Sequence, residues 1–141
     1  MLPYQRILAA VDLSQDSRLV AARACEMAAA AAGSVQLLHV VRLVAMEPIG
    51  DMPQVEIDDQ MLARAREQML ALASEFGLPP SACSVEAGST RGEILRYARE
   101  RNIDLIVIGC RERHGLSLLL HRGEGSLLQA APCDVLAVRM R

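Results

Sequence analysis

Four stretches of this chain are apolar without polar alternation: Arg6-Ile7-Leu8-Ala9-Ala10-Val11, Val35 to Val41, Asp104-Leu105-Ile106-Val107-Ile108-Gly109, and Val135 to Val138. A strand that alternates apolar and polar residues can leave one face in water. One that does not must be covered on both faces, and parallel sheets flanked by helices provide that cover. A weaker strand is expected over Cys83 to Ala87. The segments between the runs read as helices. Alanine density favours helix from about Ser17 to Ala32, and Gly33 fits its stop. Asp58 and Asp59 mark the start of a helix reaching about Phe76, ended by Gly77 and Pro79-Pro80. Thr90-Arg91-Gly92-Glu93 has the spacing of a capping box for a helix to about Arg101. Residues 116–130 read as a leucine-rich helix, followed by Pro132. Residues 43–56, with Pro48, Gly50 and Pro53, are expected to be a loop, as are 110–115. The order is βαβαβαβαβ, with crossovers long enough for right-handed parallel connections. The 141 residues suit a single domain, 1–141, because two cores would each be marginal.

Composition narrows the function classes. Hydrophobic residues make up 52% of the chain, enough for a core, whereas aromatics are 2% and Trp is absent. Single-stranded nucleic acid needs ring faces for stacking, and the net charge of -2 offers no attraction to phosphate backbones, so no nucleic-acid partner is expected. No apolar run approaches the ~18–20 residues that span a bilayer, so no membrane insertion is expected. The N-terminus lacks the charged and apolar regions of a secretory signal. Cys25, Cys83, Cys110 and Cys133 form no C-x-x-C pair, the pattern of a reduced cytoplasmic protein. All 15 basic residues are Arg. Chemistry that requires lysine, such as Schiff-base formation, a Walker-type phosphate contact or a phosphorelay receiver, is thereby excluded.

In an open α/β sheet the default ligand crevice lies beyond the carboxyl ends of the strands, at the switch point, which brings Asp12 close to the segment from Gly109. The first strand-to-helix turn, Val11-Asp12-Leu13-Ser14-Gln15-Asp16, has no glycine and so no dinucleotide fingerprint. A G-K-[ST] phosphate loop and a G-x-S-x-G elbow are also absent. No nucleophile–base pair can be assigned, so no catalytic residue is named and an enzyme is not expected.

Ile7-Leu8-Ala9-Ala10-Val11-Asp12-Leu13-Ser14 and Leu37-Leu38-His39-Val40 resemble the first two strands of the universal stress protein family. The similarity continues through Gly88-Ser89-Thr90-Arg91-Gly92-Glu93-Ile94-Leu95, Ala98 and Asp104 to Gly109, and closes with Ala131-Pro132-Cys133-Asp134-Val135-Leu136-Ala137-Val138. The resemblance implies a Rossmann-like three-layer open sandwich. Its five-stranded parallel sheet would run in the order 3-2-1-4-5, and a stress-response role in the cytoplasm would follow. Family members that bind ATP carry G-x2-G-x9-G-[ST] after the fourth strand. Here Gly109 matches the first glycine, but Glu112 and Arg122 replace the next two, and Gly123 replaces Ser or Thr. A Cβ restricts the loop and a carboxylate repels phosphate, which points to the branch that lost the motif. Arg111, Arg113 and Arg122 offset part of that charge. No cofactor is expected on this reading. The alternative is an ATP- or AMP-binding sensor with slow hydrolysis, using Ala10, Asp12, Val40, Ile108, Gly109, Arg111, Arg122 and Gly123.

Asp12 has two readings, a ligand at the adenine and ribose end of the crevice or a cap on the local turn. His39 reads as a structural polar residue. Cys110, His114 and His121 match no standard metal spacing, so no metal is expected. Arg91, Arg96, Arg99 and Arg101 read as a solvated helix face, and Leu116, Leu118, Leu119 and Leu120 as core or subunit contact. The resemblance places Val135, Leu136, Ala137 and Val138 at a sheet edge. An apolar edge calls for cover by a second copy, so a homodimer through this strand is expected, with protein partners beyond it.

Overall fold

The computed structural model describes residues 4–42, 44–50, 52–56, 59–110 and 126–140. Strands β1 (Arg6–Ala10), β2 (Ser34–Arg42), β5 (Cys83–Gly88), β6 (Leu105–Cys110) and β7 (Asp134–Arg139) form one parallel sheet. Its order is β5-β2-β1-β6-β7, which is 3-2-1-4-5 when only these five are counted. The two apolar faces of β1 are used in turn. Ile7, Ala9 and Val11 pack with Leu37, Leu105 and Val107 beneath α1 (Ser17–Ala29) and α2 (Asp59–Glu75), with Val20, Ala24, Met69 and Leu72 closing that side. Leu8 and Ala10 pack with Leu38, Val40, Ile106 and Ile108 on the other side. There α3 (Thr90–Glu100) and the short α4 (Leu127–Ala130) contribute Ile94, Leu95, Tyr97 and Leu127. Both faces are dry, as the absence of alternation required.

Residues 43–56 depart from the loop expectation. β3 (Val44–Ile49) and β4 (Met52–Glu56) pair antiparallel as a separate two-stranded ribbon, with the register shifted between Met46 and Ile49. Gly50, at φ +64, supplies the left-handed residue of the tight connection. In a two-stranded ribbon each strand has one unpaired side, so Pro48 and Pro53 do not prevent pairing.

Two helix boundaries are built differently from their sequence signals. α1 ends at Ala29, and Ala32, not Gly33, takes the left-handed conformation, at φ +51. Gly33 N donates to Ala28 O at 2.8 Å. Glycine is required at 33 because a Cβ there would stand 2.7 Å from the Gln5 carbonyl oxygen. At α3 the cap is Ser89, one residue before the expected Thr90: its Oγ accepts from Gly92 N at 3.0 Å. Glu93 then turns to Arg96 instead of closing a capping box. Gly77, at φ +68, ends α2 as read, with Leu78 N donating to Ala73 O at 2.9 Å. None of the described helices is long and apolar enough to cross a membrane.

Candidate functional site

Sheet register assembles the carboxyl-end crevice. Ala10 is level with Leu38 on one side and Ile108 on the other, Val40 lies two residues further along β2, and Gly109 one further along β6. Ala10, Val40 and Ile108 belong to the α3 face of the sheet and are 2%, 8% and 0% exposed, so all three are part of the buried core at this end of the strands. Beyond β1 the ladder continues for one bond, Val11 N to Leu38 O at 2.9 Å, and then the chain turns away.

That turn is fixed by Asp12. Its Oδ1 accepts from Ser14 N at 2.9 Å and from Ser17 Oγ at 3.2 Å, which holds Leu13 in the left-handed region at φ +62. A non-glycine residue is strained there, so the carboxylate supports a conformation that the backbone alone disfavours. This is the turn-capping reading of Asp12. The residue is also solvent-exposed. His39 Nδ1 lies 2.8 Å from Val11 O, and because a carbonyl only accepts, that nitrogen carries the proton. The ring braces the end of β1, which agrees with its structural reading.

Gly109 has a packing reason of its own. A Cβ at that position would lie 2.5 Å from Met140 Sδ, 2.6 Å from Met140 Cε and 3.3 Å from Val20 Cγ2. Arg111, Glu112, Arg113, His114, Leu116, Leu118, Leu119, Leu120, His121, Arg122 and Gly123 lie outside the described residues, as does most of the helix expected at 116–130.

A second concavity, a cleft of about 270 Å³, opens between the start of α1 and the later turns of α2. Leu13, Ser14, Ser17 and Leu72 line it, and Arg18 and Glu75 close one side through two 2.8 Å bonds. Ser14 Oγ is buried there without a hydrogen-bond partner. No local sequence signal marks this clamp, since its partners are 57 residues apart. Of the arginines read as a solvated face, Arg96, Arg99 and Arg101 are exposed and Arg91 is half-buried. Arg96 bonds Glu93 and Glu100, Arg99 donates to Ala130 O, and Arg101 lies over the Tyr97 ring at 4.7 Å.

The cysteines offer no activated thiol among Cys25, Cys83 and Cys133. Burial raises all three above the ordinary range, and Cys133 reaches about 11, helped by the carboxylates of Asp104 and Asp134. A nucleophilic cysteine needs the opposite shift. Among the described residues no His, Cys, Asp and Glu group could hold a metal ion.

The fold is a doubly wound α/β sandwich whose switch point lies at the carboxyl ends of β1 and β6. The family model for universal stress proteins matches residues 3–139, and the chain belongs to that family. Universal stress protein A homolog 1 of Coxiella burnetii is 33% identical over 141 residues, covering 98% of each chain. A solved structure of a putative universal stress protein from Pseudomonas aeruginosa UCBPP-PA14 has a TM-score of 0.67 at 24% identity. The match covers 96% of this chain and 47% of that one, so this chain spans about half its length. A universal stress protein solved in complex with cAMP has a TM-score of 0.63 at 20% identity, covering 96% and 97%. At these identities the two structures speak for the fold alone.

Proposed function

We propose that residues 1–141 act as one non-catalytic, homodimeric stress-response domain of the cytoplasm, in the branch whose ATP motif is degraded, working through protein partners. The carrying observation is Glu112 and Arg122 at positions where amide wrapping of a triphosphate calls for glycine. Mass spectrometry of the purified, denatured protein and calorimetric titration of the stripped protein with ATP test this. No bound nucleotide and no measurable heat are expected, and stoichiometric ATP would reverse the branch assignment. A second reading, an adenine-nucleotide sensor, is favoured by the cAMP held by a protein of the same fold.

Dimerisation is proposed through Val135, Leu136, Ala137 and Val138, because β7 ends the sheet and the middle of the strand is apolar. A two-fold axis that pairs β7 with its copy antiparallel must run normal to the sheet, so it keeps each face with itself. Opposed residues therefore have numbers of equal parity. Asp134 cannot face Arg139 of the partner subunit, and a residue such as Leu136 or Ala137 meets its own copy on the axis. A Leu136→Cys or Ala137→Cys chain with the native cysteines replaced should cross-link to itself at one of these positions.

A further inference from the structure

Gly109 and Met140 are fitted to one another at the carboxyl end of β6. Alternation along β7 and the residue after it turns Leu136, Val138 and Met140 toward α1, and all three pack with the cluster that contains Val20. The Met140 thioether lies over the bare Gly109 backbone. Its Sδ and Cε fill the space that a side chain at 109 would need, and Val20 Cγ2 closes on the same spot from α1. One step past Cys110 and Arg139, the last paired residues of β6 and β7, Met140 N donates to Cys110 O at 3.0 Å. Backbone and sulfur of one residue thus grip two successive residues of β6.

Other methionines of the fold differ in reach or in role. Met69 is 0% exposed beneath α2, closed to any solute, whereas Met61 is 49% exposed on α2, where an added oxygen disturbs little packing. Met27 and Met140 are both half-buried against the same cluster, and of the two it is Met140 that fills the seat over a strand glycine. A thioether is apolar and adaptable, and its sulfoxide is polar. An oxygen on Sδ would find no room over Gly109 and would meet the methyl group of Val20 there. A buried polar group without a hydrogen bond is costly, so the oxidised side chain is driven out to water.

We propose that Met140 is a modification site for peroxide-class oxidants, and that its sulfoxide leaves Gly109 and frees the adjoining end of β6. The sulfur lone pair attacks one peroxide oxygen, and the S–O bond forms as the O–O bond breaks. The proton on the transferred oxygen passes to the departing one, which leaves as water. Sulfur is oxidised and peroxide reduced. A thiol-dependent methionine sulfoxide reductase reverses the step, giving back the thioether with a disulfide and water as the other products. The site stands apart from nucleotide binding and from the dimer strand, and it gives the fold a chemical input that neither requires.

The test treats the full chain, with isotope-labelled methionine methyl groups, with hydrogen peroxide and follows it by NMR and peptide mass spectrometry. Before treatment the Met140 methyl should show a nuclear Overhauser contact to the Gly109 α-protons. After it, Met140 and Met61 should each carry one added oxygen while Met69 stays unmodified. The contact to Gly109 should then vanish, and the Met140 amide should exchange with solvent about tenfold faster or more. Reductase treatment should restore both signals, which requires no variant to fold. Met140→Leu, close in volume, should keep slow exchange at position 140 after the same exposure to peroxide. Conversion of Met61 with Met140 untouched overturns the proposal, as does a Met140 sulfoxide that leaves contact and exchange unchanged. An equal rise in peroxide-treated Met140→Leu also overturns it, since the effect would then belong to another methionine such as Met27.

Discussion

The strands that end the sheet, β5 and β7, share one hazard, an open row of backbone donors and acceptors, and they meet it in opposite ways. β5 is tied down by polar side chains: Ser84 Oγ shares a 3.1 Å hydrogen bond with Tyr97 Oη, and Glu86 lies 3.8 Å from Arg96. It finishes in Gly88 at φ +149, a conformation that side chains rarely adopt. β7 carries Val135, Leu136, Ala137 and Val138 across its middle, and its polar anchor lies at one end, where Tyr4 Oη donates to Asp134 at 2.5 Å. Polar and charged side chains mark one edge and an apolar stretch marks the other.

The largest effects should come from breaking the open edge. Leu136→Arg adds a charge in the middle of β7 and Ala137→Pro removes a ladder donor, so light scattering should find a dimer in the parent and monomer or aggregate in each variant. A monomeric parent, or two dimeric variants, would remove β7 as the interface. Next comes the closed edge. Tyr97→Phe strands Gln36 Oε1 and Ser84 Oγ in a partly buried site and should cost about 1–3 kcal/mol in urea unfolding, with dimer mass unchanged.

A smaller effect concerns the thiol just before β7. Cys133 keeps its proton to about pH 11 in the fold, against 9.0 for an ordinary thiol. The unfolded chain therefore releases that proton first, and stability, complete below pH 9, should fall as pH rises toward 11. Tyr4, raised by its hydrogen bond to Asp134, adds the same sign above pH 10. Thermal melts of Cys133→Ala across this range should show a shallower decline than the parent. The smallest change is expected for Glu86→Gln. Arg96 keeps Glu93 and Glu100, and an exposed, solvent-screened pair adds little, so mass and melting point should both hold. If this variant formed higher assemblies, one charge would be closing β5.

Much of this contrast is legible in sequence. Runs such as Leu105 to Ile108 announce strands buried on both sides, and the family resemblance supplies their order. Local signals failed where a tertiary contact decides the residue: Gly33 faces the Gln5 carbonyl and Gly109 faces Met140, and neither neighbour is close in sequence. Pro48, Gly50 and Pro53 hid the ribbon because proline looks like a breaker until each strand is known to have an unpaired side. In the crevice, Ala10, Val40 and Ile108 come together through register. The Arg18–Glu75 clamp and the bare Arg91 Nε depend on partners, or their lack, that no spacing rule encodes.

The central position of β1 has a consequence for the growing polypeptide. β1 is translated ahead of both its neighbours and can pair with β2 almost at once, but its other neighbour, β6, begins at Leu105. Until residue 105 has been made, the innermost strand has one naked flank, and Ile7 to Ala10 is a short apolar template for any other nascent strand. Premature stop products that end before residue 105 should therefore be the insoluble ones, and early engagement by a holding chaperone should matter more here than in a sheet whose middle is translated last.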